Sequence, residues 1–142
     1  PTPYVVTPGL ERLARISPDG RWLLWQSAAD GQLELFIDSY PVPGWRAQVL
    51  SGATDRPLRP AWGSGGKEVI FTDAGGDMVS VPVAYVGDEI RLGRPTRLFK
   101  VPDGVGPVRT CDGERFLVSR ETSRVPGRTL RLIVDWPAMV KP

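Results

Sequence analysis

A segment of about ten residues occurs three times along the chain at a nearly constant spacing. Each copy joins a polar turn containing a glycine to a short apolar run, and the copies are Ile16–Trp25, Trp62–Phe71 and Arg109–Val118. The turn glycines Gly20, Gly66 and Gly113 are 46 and 47 residues apart. A fixed period of this length predicts one supersecondary unit repeated three times, with each unit burying its apolar surface against the next.

The apolar runs predict strands that are covered on both faces. Trp22–Trp25 and Val69–Phe71 are apolar at consecutive positions instead of alternating, as in a sheet packed between two neighbouring sheets. A second strand follows each run, and further outer strands follow the first two. These predicted strands are Leu33–Ile37, Met78–Val83 and Leu130–Val134, with outer strands at Arg46–Leu50 and Arg97–Lys100. Pro82 lacks an N–H donor, which places its strand near an edge or at a bulge.

Composition favours an all-β chain with a real core. The 142 residues are 41% apolar, and 16 glycines and 15 prolines divide the sequence into short segments, which leaves little room for long helices. The repeat length is about that of a four-stranded blade, given repeats of about 40 to 50 residues. We therefore predict an all-β fold, a β-propeller fragment of about three four-stranded antiparallel blades.

The predicted blades divide the chain, read as one domain, into three consecutive ranges. They span about residues 10–53, 54–100 and 101–142. The third range lacks an outer strand comparable to those of the first two. Residues 3–6 are the candidate to fill that place, which would let one blade take strands from both ends of the chain.

The first turn carries a family resemblance. Ile16–Leu23, with its Ser17-Pro18-Asp19-Gly20 turn, resembles the repeat of TolB-like, WD-repeat-like bacterial β-propellers. The later copies are similar to the closing, C-terminal blades of such propellers, although Gly63–Gly66 and Thr110–Gly113 lack the usual proline. The resemblance covers about residues 10 to 140 and implies a sensing or docking region that follows a kinase or a regulator in a larger bacterial protein.

Three blades are too few for a closed ring, since propellers contain roughly four to eight. Two apolar blade faces would then be open to water, and such patches drive association. We expect completion either by a second copy of the chain, as a homodimer, or by blades upstream of Pro1. The start of the sequence has no initiator Met and no apolar leader, which suggests a piece of a longer protein.

Charge and cysteine content limit the partners that the sequence can suggest. The formal net charge is +2, from 18 basic and 16 acidic side chains, which is too small to predict binding to nucleic acid. No apolar stretch is long enough for a membrane-spanning helix, so no membrane insertion is predicted. Cys111 is the single cysteine, so the sequence leaves a cytoplasmic and a periplasmic location both open.

The residues that enzymes most often use are missing. The sequence contains no histidine, which removes the usual general base and the commonest metal ligand. Cys111 has no histidine partner and is read as a turn residue. We predict no enzyme activity and no cofactor.

Two glycine-rich segments invite functional interpretations that their residues do not support. Gly63–Lys67 resembles a phosphate-binding loop, but Glu68 stands where Ser or Thr is needed. Asp73–Asp77 lacks the further oxygen ligands of a calcium loop, so both segments are read as turns between strands. A carboxylate pair for glycoside chemistry is conceivable among Glu11, Glu34, Asp38 and Glu68, but nothing in the sequence pairs any two of them.

An arginine-rich stretch in the third copy is the predicted binding surface. Its candidate binding residues are Arg115, Arg120, Arg124, Arg128 and Arg131, with Arg109 nearby. Guanidinium groups could dock an acidic protein surface or a phosphate. The structural alternative is a solvated strand edge protected by charge, and the five tryptophans likewise suit core packing before a ligand cage.

The sequence therefore predicts a non-catalytic propeller module for protein interaction or sensing, with a protein partner whose identity the sequence does not give. Two alternatives remain open. One is an accessory propeller of a peptidase or of a sugar-active enzyme, and the other is a periplasmic scaffold similar to TolB.

Overall fold

In a computed structural model of the chain, the described residues form twelve short strands in three antiparallel sheets. The structure describes residues 4–5, 7, 9–29, 32–50, 59–102, 109–110, 115–118 and 131–133. The secondary structure of these residues is all β apart from one short 3₁₀ turn at Ser64–Gly66. The predicted all-β, antiparallel class is confirmed.

The first sheet is a four-stranded meander in which each strand pairs with the next along the chain. Its strands are β1 (Leu10–Ile16), β2 (Trp22–Ala29), β3 (Gln32–Ser39) and β4 (Arg46–Leu50). The turn before β2 closes through its own side chains: the amide of Trp22 donates to Ser17 Oγ at 3.0 Å, and that hydroxyl donates to Asp19 Oδ1 at 2.5 Å. Gly20 completes this turn with φ of 74°, a conformation that glycine adopts without strain.

The second sheet has five strands, one more than the sequence predicted. They are β5 (Ala61–Gly63), β6 (Glu68–Thr72), β7 (Asp77–Val86), β8 (Glu89–Leu92) and β9 (Thr96–Lys100). The long strand β7 pairs with β9 through its first half and with β8 through its second half. Pro82 lies where the partner changes, so its missing donor costs no ladder hydrogen bond.

The third sheet is short in the described part of the chain. It consists of β10 (Arg109–Thr110), β11 (Phe116–Val118) and β12 (Arg131–Ile133), in that order. The glycine of the third predicted turn, Gly113, lies outside the described residues. The three sheets fall within the three predicted ranges, while the division into blades stays a prediction.

The second sheet is covered on both of its faces, because adjacent residues of β6 belong to different cores. Val69 and Phe71 pack with Trp22 and Leu24 of the first sheet. Ile70, between them, packs with Phe116 of the third sheet. The consecutive apolar run therefore predicted two-sided burial correctly for this strand.

Candidate functional site

Residues 4, 5, 7 and 9, which precede β1, lie along the face of the first sheet that is turned away from the second sheet. We call this face the outer face, and we call residues 4, 5, 7 and 9 the strap. The hydroxyl of Tyr4 donates to the backbone oxygen of Ser39, and its ring centroid is 5.5 Å from that of Tyr40. Tyr4 and Val5 belong to no strand. Residues 3 and 6 are outside the described residues, so ring closure by residues 3–6 stays a prediction.

A second anchor holds the strap close to the sheet. The backbone N–H and the hydroxyl of Thr7 both donate to Glu11 Oε1, at 2.7 and 2.6 Å. Because the carboxylate accepts these hydrogen bonds, the pKa of Glu11 lies below its ordinary value. Gly9 lies so near β2 that an added Cβ would be 2.7 Å from the backbone oxygen of Ala28, so a side chain at this position would displace the strap.

Beside the strap, the outer face carries a cluster of two aromatic rings and one ion pair. Phe36 stacks on Trp25 with ring centroids 4.9 Å apart. The guanidinium of Arg46 lies over both rings, 5.0 Å from Trp25 and 5.5 Å from Phe36. The same group donates two hydrogen bonds, at 2.9 and 2.8 Å, to the buried carboxylate of Asp38. Arg46 thus covers apolar rings with a group that water can still solvate.

The register of the strands explains why these residues meet. Leu23 pairs with Asp38 and Trp25 pairs with Phe36 across β2 and β3, and directly paired residues project from the same face. Asp38 in turn pairs with Arg46 on β4. From the sequence, Asp38 was only one of four carboxylates with no assigned partner, and its partner is Arg46, opposite it on β4.

An open cavity of about 240 Å³ lies between the strap, the first strand and the aromatic cluster. Its walls are mostly apolar and are formed by Tyr4, Val5, Glu11, Arg12, Leu13, Ala14, Leu23 and Trp25. The pairing of β1 with β2 is interrupted between Arg12 and Arg15 by a bulge, in which Leu13 has φ of 55°. A bulge redirects side chains and commonly marks a functional edge, and here it forms one wall of the cavity.

Two of the lining residues, Trp25 and Arg12, carry hydrogen-bond donors that have no protein acceptor among the residues that the structure describes. Trp25 is 2% exposed, and its Nε1 has no hydrogen-bond partner there. Arg12 is exposed and makes no ion pair with a carboxylate of the described residues. The acidic lining residue Glu11 already accepts hydrogen bonds from Thr7.

The edge strand β1 also presents apolar side chains to solvent. Leu10, Leu13 and Ile16 are 53%, 38% and 50% exposed, and the edge of β1 that faces away from β2 has no strand beside it in the described sheet. We call these three side chains together with the cavity the β1 surface. By contrast, Leu23 and Trp25 of the outer face are buried, so this face is not the open apolar face that an end blade was expected to have.

The predicted arginine-rich surface is largely outside the described residues. Arg120, Arg124 and Arg128 belong to that part of the chain. Arg115 is exposed immediately before β11, and Arg131 begins β12, where it pairs with Val118. The ladder therefore places Arg115 and Arg131 toward opposite ends of the β11–β12 pair, and the role of this stretch in binding stays a prediction.

The two glycine-rich segments are turns, as the sequence predicted. Gly63–Lys67 connects β5 to β6, and the hydroxyl of Tyr85 donates to the backbone oxygen of Gly66 at 2.7 Å. In Asp73–Asp77, the carboxylate of Asp73 accepts from the amide of Asp77 at 2.8 Å. The described residues contain no group of three or more acidic, cysteine or histidine side chains placed to hold a metal ion. They also contain no helix long and apolar enough to span a bilayer.

From the sequence, residues 3–6 were expected only as a closing strand, and the contacts of the strap with the first sheet, the bulge and the cavity were missed. The hydrogen bonds from Thr7 to Glu11 are local and are not associated with any pattern of strand residues. The positive φ of Leu13 cannot be predicted from the sequence, because leucine rarely adopts it. No family model, no curated protein and no solved structure matches the chain in the corresponding searches.

Proposed function

We propose that the chain is a non-catalytic module of β-propeller type that binds another protein. The observation that carries the proposal is the order of the sheets: three antiparallel sheets follow one another along the chain, and the middle one is packed on both faces. Adjacent blades of a propeller have this relation, since each blade buries its faces against its neighbours.

The repeat supports the same proposal at the level of the single sheet. In the first sheet, four strands pair in chain order and the turn of the repeat lies between the first two. In the second sheet, the corresponding turn at Gly63–Gly66 again lies between the first two strands. One unit of structure is therefore reused at the same point of the repeat. Completion of a ring, by a second copy or by further sheets, stays a prediction.

The β1 surface is our candidate for the docking surface. Exposed leucine and isoleucine side chains next to a cavity are unusual on a solvated edge strand, where charge normally protects against association. Arg12 and Arg15 provide that charge between the apolar residues. A surface on which arginines alternate with exposed apolar side chains suits a protein partner that presents both acidic and apolar groups.

Site-specific photo-crosslinking in a lysate of the source organism tests this proposal. A benzophenone amino acid replaces Leu10 or Ile16 on the β1 surface, Arg115 in the arginine-rich stretch, or the exposed Arg91 of β8 as a control. We expect a discrete protein adduct from positions 10 and 16 and none from position 91. An adduct from position 115 alone would move the docking surface to the arginine-rich stretch, and no adduct at any position would contradict the interaction module.

A further inference from the structure

We infer that the strap is a displaceable cap, which occupies the place on the outer face of the first sheet that the third sheet of a second copy of the chain would take. The inference goes beyond the proposed function, because it concerns how copies of the chain assemble and not the partner that docks on the β1 surface. It depends on the repeat, on the packing under the strap and on the contacts that hold the strap.

The repeat assigns each apolar position after the turn glycine to one neighbouring sheet. In the second repeat, the third and fifth residues after the glycine are Val69 and Phe71, and both pack against the first sheet, which precedes them. The fourth residue, Ile70, packs with Phe116 of the third sheet, which follows. The third and fifth positions thus face the preceding sheet, and the fourth position faces the following one.

The other two repeats follow the same rule. In the third repeat, Phe116 and Val118 hold the third and fifth positions after the glycine, and both pack against Ile70 of the second sheet, which precedes them. In the first repeat, Leu24 holds the fourth position and packs against the second sheet, which follows. The direction in which each position packs is therefore a property of the repeat.

The rule places two residues of the first repeat against a sheet that would precede it. Leu23 and Trp25 hold the third and fifth positions. They alternate with Trp22 and Leu24, so they project away from the second sheet, and they belong to neither of the two cores that join the described sheets. No sheet of the described chain precedes the first, and the strap lies at this face. The strap therefore takes the place of a sheet.

The strap fills that place incompletely. The cavity of about 240 Å³ lies between the strap, β1 and the side chains of Leu23 and Trp25. At the junction of the second and third sheets, by contrast, the cavity beside Ile70 and Phe116 has a volume of about 10 Å³. Protein interiors are normally close-packed, and walls that face a void lose contacts. A sheet that packed against Leu23 and Trp25 would recover these contacts.

Few contacts hold the strap in the described structure. The hydroxyl of Tyr4 donates to the backbone oxygen of Ser39, and Thr7 donates two hydrogen bonds to Glu11. Tyr4 and Val5 belong to no strand, so they lack the ladder of backbone hydrogen bonds that joins paired strands. Segments with few such bonds open at a lower free-energy cost than core strands. The strap is thus suited to release from a sheet that stays folded.

The third sheet has the face that matches the outer face of the first sheet. Leu117 holds the fourth position of its repeat, between Phe116 and Val118, so it projects away from the second sheet. It is half-buried, and no sheet of the described chain follows it. Leu117 is equivalent to Leu24 and Ile70, the aliphatic residues that pack against a following sheet. The third sheet of a second copy therefore presents the side chain that the repeat uses at its other junctions.

The ion pair on the outer face is compatible with a packed sheet. On the second sheet, Asp77 shares with Val79 the face that is turned to the first sheet, and it forms an ion pair with Arg97 at 3.2 Å. That face is nonetheless packed against its neighbour. The pair of Asp38 with Arg46 therefore does not exclude a sheet from the outer face.

Sedimentation velocity over a range of protein concentrations tests the cap. Tyr4→Ala combined with Thr7→Ala removes the two hydroxyls that hold the strap, and Val86→Ala combined with Thr96→Ala, at exposed positions of the second sheet, is the matched control. If the strap is closed in about nine of ten molecules, its release lowers the dissociation constant of self-association about tenfold. We expect a decrease of about tenfold or more for the strap variant and none for the control. Unchanged self-association of the strap variant would overturn the inference.

Photo-crosslinking identifies the surface that binds the released face. In the strap variant, a benzophenone amino acid replaces Leu117 in one experiment and Glu34, on the outer face opposite Ser27, in another. Mixing with an isotope-labelled copy distinguishes adducts between copies from adducts within one. We expect position 117 to react with the first sheet of a second copy and position 34 to react with its third sheet. Because position 34 lies outside the third sheet, it still reports if the change at 117 prevents folding.

Adducts between copies that join any other pair of sheets would overturn the assigned occupant. These outcomes are separate from a failure of the proposed function, which the lysate experiment tests with labels on β1. Self-association of the strap variant without a partner in the lysate would reject the interaction module and keep the cap. A partner on the β1 surface without self-association would reject the cap and keep the module.

Discussion

Arg46 has two roles on the first sheet, and both depend on Asp38. A carboxylate as deeply buried as that of Asp38 is unfavourable without a partner, and Arg46 donates two hydrogen bonds to it. That contact fixes the guanidinium over Trp25 and Phe36. One ion pair therefore stabilises a buried charge and shields two aromatic rings from water.

The phenols of Tyr4 and Tyr85 have pKa values above that of an ordinary tyrosine. Burial raises the pKa of each, and the nearby carboxylates, Asp38 for Tyr4 and Asp19 for Tyr85, add to the shift. Because the folded state favours the neutral phenol, the stabilisation is fully present below the ordinary pKa of about 10. It is lost as the pH rises through the higher pKa of the folded state.

An alkaline titration followed by near-ultraviolet absorbance measures this effect. We expect part of the tyrosine ionisation of the native chain to occur at a pH above the ordinary pKa of about 10, and we expect this part to be absent after denaturation. Tyr4→Phe and Tyr85→Phe are each expected to remove some of this high-pH ionisation. If either variant removed only ionisation at the ordinary pH, that phenol would not be buried beside its carboxylate as the structure places it.

The sequence indicates some of these residue positions and not others. The Ser-Pro-Asp-Gly turn was predictable because each of its residues has a local preference for turns. The positive φ of Leu13 was not, because leucine has no such preference and the bulge depends on the pairing of β1 with β2. That Trp25 Nε1 has no hydrogen-bond partner among the described residues follows from packing, which composition does not encode.

At the level of elements, strands with continuous apolar runs were predicted well. β2 and β6 contain the predicted runs Trp22–Trp25 and Val69–Phe71, and β4 and β9 occur at the predicted outer strands. The strand β8 was missed, although Gly87-Asp88 between two β-rich segments is a signal for a tight hairpin. Gly87 has φ of 61°, as such a turn requires.

The β7–β8 hairpin is part of the core between the first two sheets. Ile90 of β8 is 5% exposed and belongs to the same cluster as Trp22. We therefore expect Ile90→Ala to lower the free energy of unfolding by about 2–5 kcal/mol. Val86→Ala, at a position of β7 that is 45% exposed, is the matched control and is expected to change it by about 0.5 kcal/mol or less.

Urea denaturation of both variants gives these values. Similar small losses in the two variants would show that the hairpin is a surface appendage. The ion pair from Arg21 to Asp88, at 3.2 Å with both side chains mostly exposed, is expected to contribute little to the attachment of the hairpin.

At the level of the whole molecule, the first sheet ends the described stack with a covered outer face. The outer face of the first sheet is covered by the strap and by Arg46, so an additional sheet is not needed to bury Trp25. Period and apolar runs indicated the stacked sheets, because both are properties of the repeat. They could not indicate the strap, which belongs to no repeat and lies against the first sheet through Tyr4, Thr7 and Gly9.

The central claim is that the second sheet is packed on both faces by its neighbours, and two adjacent residues of β6 test it. Phe71 faces the first sheet and Ile70 faces the third, and each is 2% exposed. The decisive measurement is the free energy of unfolding of Ile70→Ala and Phe71→Ala, determined side by side in urea. We expect losses of about 2–5 kcal/mol for Ile70→Ala and about 3–5 kcal/mol for Phe71→Ala. A loss below about 0.5 kcal/mol in either variant would show that one face of the sheet is open, and would contradict the stack of three sheets.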